Sequence, residues 1–180
     1  MEKVQIKKVI GPTDHGVAVL LGNEKKTFVI FIGLNEGAAI IRELRNERAQ
    51  RPLTHDLLDF VLSGFSIEIK KIIVSSIVDN TFYATLILEQ KILGQNGEWT
   101  GKRNEVRIDA RPSDCLVLAL KEKRDILVED EVFQAVTNIE GELQNFQKGI
   151  QKPPIGEAGD EDLDLPAEPE EESSGEDEEE

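Results

Sequence analysis

With 180 residues and an apolar fraction of 39%, the chain can build one ordinary domain around a real core. Its formal charge of −15 is unevenly placed: residues 1–152 hold all 21 Lys and Arg and 22 of the acids, while the other 14 acids crowd residues 153–180. One cysteine excludes an internal disulfide, and no run of ~18 apolar residues exists to cross a membrane.

Met1 to Lys8 alternates polar and apolar residues and lacks the apolar stretch of a secretory leader, so a cytoplasmic protein is expected. Val4, Ile6 and Val9 mark a first strand, which Gly11-Pro12 should break, with a turn at Asp14-His15-Gly16. A second strand is expected over 17–21. A third, over 27–32, is apolar enough to be buried on both faces. Gly33 ends it, and Asn35 is the candidate cap of a helix with Glu36 in its first turn. Ile40, Ile41 and Leu44 share one face of that helix, with Arg42, Arg45 and Arg48 around the outside.

Thr54 should cap a second helix that carries Leu57, Leu58, Val61 and Leu62 and stops at Gly64. Residues 66–78 and 81–88 read as a hairpin turning at Asp79-Asn80. After a polar loop over 94–101, residues 103–110 form another strand and 126–128 a short one. Between them Arg111-Pro-Ser-Asp114 opens a buried helix, and residues 129–148 hold one or two short helices. The expectation is an α+β fold on a mixed, largely antiparallel sheet with three to five helices. One domain spans 1–150. Residues 151–180 form an acidic tail too poor in apolar residues to offset its ordering entropy, and so disordered.

Two segments carry candidate chemistry: Arg51-Pro-Leu-Thr-His-Asp56 and Asp109-Ala-Arg-Pro-Ser-Asp114. Each puts Arg-Pro before a hydroxyl residue and an acid in the first helical turn. Free N–H groups at such helix starts favour an anion, and an arginine adds a fork suited to phosphate. Arg51, Arg111 and Ser113 are therefore candidates to hold substrate. His55 is a candidate general base, with Asp56 and Asp114 as its catalytic partners. Glu36 and Asp109 are candidate ligands for Mg²⁺ or Mn²⁺, a cation that steadies charge on phosphoryl oxygens. Each motif also reads as a well-capped helix whose arginine pairs with a neighbouring acid. Cys115 reads as buried and inert. With 5% aromatic residues, a base-stacking platform is poorly supported.

Four stretches occur in order: Phe31-Ile-Gly-Leu-Asn-Glu-Gly37, Arg51-Pro-Leu-Thr-His-Asp-Leu-Leu58, Asp79-Asn-Thr-Phe-Tyr-Ala-Thr-Leu86 and Ile108-Asp-Ala-Arg-Pro-Ser-Asp-Cys115. Over roughly residues 1–135 the chain resembles the bifunctional nuclease domain family of bacteria and plants. Cys115 departs from the small residue expected there, as does the acidic tail from the helical module of some relatives. The resemblance implies an α+β fold on mixed sheet, a homo-oligomer, and activity on RNA and DNA. The leading expectation is a metal-assisted nuclease. The alternative is a non-catalytic anion- or nucleotide-binding regulatory module, which suits a nearly neutral domain.

Overall fold

The computed structural model describes residues 1–13 and 16–141. The expected acidic tail and the turn residues Asp14 and His15 lie outside them.

Among the described residues there are seven strands and four helices, in the order β1 (Glu2–Thr13), β2 (Gly16–Gly22), β3 (Thr27–Ile32), α1 (Leu34–Leu44), α2 (Thr54–Gly64), β4 (Ile67–Val78), β5 (Thr81–Leu93), β6 (Trp99–Ala110), α3 (Pro112–Lys121), β7 (Ile126–Val128) and α4 (Asp130–Ala135). The strands form one sheet in the order β3-β2-β1-β7-β4-β5-β6. All neighbours are antiparallel except β4 and β7, which are parallel. The fold is α+β on a mixed, mostly antiparallel sheet, as expected.

The sheet curls strongly. In a flat sheet β3 and β5, five positions apart, would be separated by ~24 Å. Yet the rings of Phe28 on β3 and Phe82 on β5 stack at 6.2 Å, with Phe133 of α4 edge-on to Phe28 at 6.3 Å. The concave face closes over Val19, Leu21, Ile72, Val74 and Leu86, and α3 supplies Leu116 and Leu118 to the same core. α1 reaches this core because Gly37 lets it lie against β2. A Cβ at Gly37 would sit 2.5 Å from Val17 Cγ2.

Several sequence expectations need correction. β1 does not end at Gly11-Pro12. It continues to Thr13 through a register irregularity after Ile10, where a missing N–H is tolerated. β3 is not buried on both faces, because it is an edge strand and Phe31 is 54% exposed. The helix caps fall one or two residues earlier than expected: Gly33 rather than Asn35 for α1, and Leu53 rather than Thr54 for α2. The last two long strands also run further. β5 reaches Leu93 and β6 begins at Trp99, held by pairing that persists to Leu93–Trp99. Of the apolar residues on α2 only Leu62 is buried. The hairpin turn is as read, with Asp79 and Asn80 both at positive φ (48° and 60°), the geometry a two-residue primed turn requires.

Candidate active site

Three helix starts meet at one end of the helical layer. α1 and α3 lie side by side, so Glu36 in the first turn of α1 faces Arg111, the cap residue of α3. Arg111 has extended backbone (φ −70°, ψ 141°) and Pro112 follows as the first helical residue, where its missing donor costs nothing. The guanidinium grips two acids. Nε donates to Asp114 Oδ2 at 2.9 Å, Nη2 to Asp114 Oδ1 at 3.2 Å, and Nη1 to Glu36 Oε1 at 2.8 Å. These bonds, to Asp114 first and then Glu36, push the Arg111 pKa further up. A guanidinium has five N–H groups. Among the described residues three are used, and the side chain is 65% exposed, which leaves two for an outside anion.

α2 brings His55 to the same acid. Its Nε2 lies 3.3 Å from Asp114 Oδ1, with the imidazole about one-fifth exposed. The two Arg-Pro segments therefore converge through Asp114. When Nε2–H is donated to Asp114, Nδ1 carries the lone pair and can take a proton. Asp56, one residue on, is engaged at both oxygens: Leu53 N–H donates to its Oδ2 at 2.8 Å and Lys121 Nζ to its Oδ1. Lys121, then that backbone bond, hold the Asp56 carboxyl below the usual range, and Asp56 in turn raises Lys121. Glu43 of α1 also reaches Lys121, at 3.6 Å. This second cluster ties α1, α2 and α3 together beside the first.

Beside His55 and Asp56 opens a cavity of about 740 Å³ whose wall includes Arg42, Arg48, Lys121 and Lys123. Sequence pattern points to the arginines and to Glu43 as a partner on their helix face, but not to Lys121 or Lys123. Lys121 in the last turn of α3, where a cation suits the dipole, was the available sign. Arg51 is exposed, has no ion-pair partner among the described residues, and does not line the cavity, although Gln50 and Pro52 do. Ser113, a candidate for substrate contact, is buried at 5% exposure. Asp109 lies exposed on β6 opposite Thr85. Cys115 is buried, and burial first, then Asp114 and Asp109, push its thiol up to about 12, which removes the thiolate a nucleophile needs.

The acids as arranged do not fit a divalent cation. Arg111 bridges Glu36 and Asp114, the place such a cation would take. Among the described residues no group of three or more His, Cys, Asp or Glu is placed to hold a metal.

The bifunctional nuclease domain matches residues 19–140, which includes every residue of both clusters. An uncharacterized protein of Mycobacterium tuberculosis, found in strains H37Rv and CDC 1551 / Oshkosh, is 32% identical over 126 residues, covering 69% of this chain and 68% of the relative. With the match spanning most of the described fold, from β2 through α4, the chain belongs to the bifunctional nuclease domain family.

Proposed function

We propose that the protein is a nuclease that hydrolyses phosphodiester bonds of RNA or DNA at the meeting point of the three helix starts. The observation that carries this reading is His55 held by Asp114, which Arg111 clamps in turn, at the rim of a cavity whose wall sets Arg42, Arg48, Lys121 and Lys123 among Glu43, Glu47 and Asp56. A histidine fixed by a carboxylate through one nitrogen is poised to take a proton through the other. In the proposed reaction Nδ1 of His55 removes a proton from water, the water oxygen attacks phosphorus, and the P–O bond to the leaving oxygen breaks. The leaving oxygen takes up a proton from solvent water, and His55 releases its own proton to solvent. The two spare N–H groups of Arg111 steady charge on the phosphoryl oxygens. Asp56, with both oxygens engaged, is a positioning residue that fixes the start of α2.

No step above depends on a divalent cation, since Glu36 is held by Arg111; the Mg²⁺, Mn²⁺ and EDTA arms of the test address a metal requirement separately. A homo-oligomer acting in the cytoplasm completes the proposal.

The test is cleavage of end-labelled single-stranded RNA and DNA with Mg²⁺, with Mn²⁺ and with EDTA. The unmodified chain is compared with His55→Ala and Arg111→Lys, each checked for folding. Cleavage should fall by roughly a hundredfold or more in folded His55→Ala, the range of a lost general base. Cleavage by both variants at the rate of the unmodified chain sinks the assignment. No cleavage in any arm, with binding retained, supports the second reading of an anion-binding regulatory module, which the spare N–H groups of Arg111 also suit.

A further inference from the structure

The charges around the cavity beside His55 are not evenly engaged. Each of its three acids already has a partner. Glu43 lies 3.6 Å from Lys121, Asp56 binds Lys121 and the Leu53 N–H, and Glu47 lies 3.5 Å from Arg45. Arg42, Arg48 and Lys123 line the same cavity, and their side chains have no hydrogen-bond or ion-pair partner among the described residues. The helix ends do not use them either. The Arg42 carbonyl at the end of α1 accepts from Glu47 N–H at 3.0 Å, and the Ala119 carbonyl at the end of α3 accepts from Arg124 N–H at 2.8 Å. Backbone closes both ends, so three cations remain unanswered at this cavity.

Beside them stands one aromatic ring. Phe60 of α2 is 58% exposed and shares the wall with Pro52 and Leu53. An aromatic content of 5% argues against a platform of several stacked bases, but a single base needs a single ring, and such stacking is tolerant of base identity. The volume of about 740 Å³ lies within the ~300–1,000 Å³ common for sites that enclose a small molecule. A ring with an apolar wall next to unengaged cationic donors suits a nucleotide, a flat base joined to phosphate. His55 connects this cavity to Arg111. Its Nε2 meets Asp114, which Arg111 holds, while the residue itself lines the cavity and Arg111 does not.

We infer that the cavity is the subsite for the nucleotide next to the scissile phosphate, with the base against Phe60 and the further phosphate on Arg42, Arg48 and Lys123. This rests on the nuclease reading above, in which Arg111 and His55 take the scissile phosphate. Two successive phosphates are then held at once, one on each side of His55. The further phosphate is remote from the reacting bond. Its contacts are alike in ground state and transition state, so they appear in KM rather than kcat.

The experiment uses the full chain and a dinucleotide with one phosphodiester bond, either bare or carrying an added phosphate at its 5′ or its 3′ end. KM and kcat are measured for the unmodified chain, for Arg42→Ala combined with Arg48→Ala, and for Phe60→Leu, with circular dichroism to check folding. One of the two added phosphates should lower KM by roughly tenfold or more, the scale of hydrogen bonds to a charged group. The combined arginine variant should lose that gain. Phe60→Leu should raise KM for the dinucleotide but not for its analogue with an abasic residue at the flanking position, and an equal rise for both overturns the placement of the base. Added phosphates without effect on KM, or a gain that survives the loss of both arginines, overturn the inference and leave the nuclease reading standing. If no substrate is cleaved, the nuclease reading fails, and calorimetry with the same three dinucleotides decides the cavity by itself. Tighter binding of one phosphorylated form, lost in the arginine variant, supports a nucleotide site there. Equal binding of all three overturns it.

Discussion

Asp56 shows how one side chain sets a helix start. α2 has no hydroxyl or amide cap at Leu53, and the carboxylate of Asp56 reaches back instead to the Leu53 N–H while also binding Lys121. Asp56→Ala should therefore destabilise the fold by about 1 kcal/mol, the usual scale for a lost cap. The pH dependence has a definite sign. The folded carboxyl titrates below its unfolded value, so its contribution is complete above the unfolded pKa and is lost as pH falls through the folded one. Denaturant unfolding at pH 7 should separate the variant from the parent, and the gap should close toward pH 3. A gap that persists unchanged at pH 3 would show that the ionised carboxylate is not its source. Sequence made much of this site readable at the residue level, because caps, prolines and first-turn acids are local patterns. That reading marked both Arg-Pro segments and His55. It could not tell that Asp114 joins them, since a contact across 59 residues has no local trace. For the same reason the pairing of Lys121 with Asp56 and Glu43 has no trace in the sequence pattern.

The elements are placed by close approaches that a few small residues permit. Gly37 is the clearest, with a missing Cβ that would fall 2.5–2.8 Å from three side-chain carbons of Val17. Gly37→Ala should push α1 off β2 and cost about 1–3 kcal/mol, the range for overpacking a core. Adding Val17→Ala removes those carbons, so the double variant should be destabilised by less than the sum of the two single changes. Thermal unfolding of all four chains reads this cycle, and strict additivity would show that the two residues do not share the contact. α1 also carries Glu36 toward Arg111, so its displacement should loosen that ion pair. Element identity was legible wherever periodicity was long: β2, β3 and the hairpin of β4 and β5 lie close to where alternation and turn residues put them. What the pattern hid was position in the sheet. β3 looks like a central strand by composition and is an edge. α2 has the apolar spacing of a core helix and leaves most of that face bare. In both, an apolar run was read as burial within one chain, although period alone does not say what covers a face.

For the whole molecule, charge separates along the chain more sharply than structure does. Residues 1–152 balance 21 bases against 22 acids, whereas residues 153–180 carry 14 acids and no base. The cavity beside His55 presents four cations, Arg42, Arg48, Lys121 and Lys123, against three acids, Glu43, Glu47 and Asp56. A tethered polyanion competes at high effective concentration with any polyanionic ligand of the same chain, and it repels that ligand during approach. Removing residues 153–180 should therefore raise affinity for single-stranded RNA, on the order of tenfold at low salt. Measuring this in His55→Ala keeps the RNA intact under the proposed mechanism. Screening sets the second half of the prediction. As ionic strength rises from 0.01 M to 0.1 M, the screening length falls from roughly 30 Å to roughly 10 Å, so the advantage of the shortened chain should shrink. Fluorescence anisotropy with labelled RNA across that salt range reads both effects. Equal affinities at 0.01 M would mean the acids neither shield nor compete for the basic wall. An advantage that survives high salt would mean the segment acts by bulk rather than by charge.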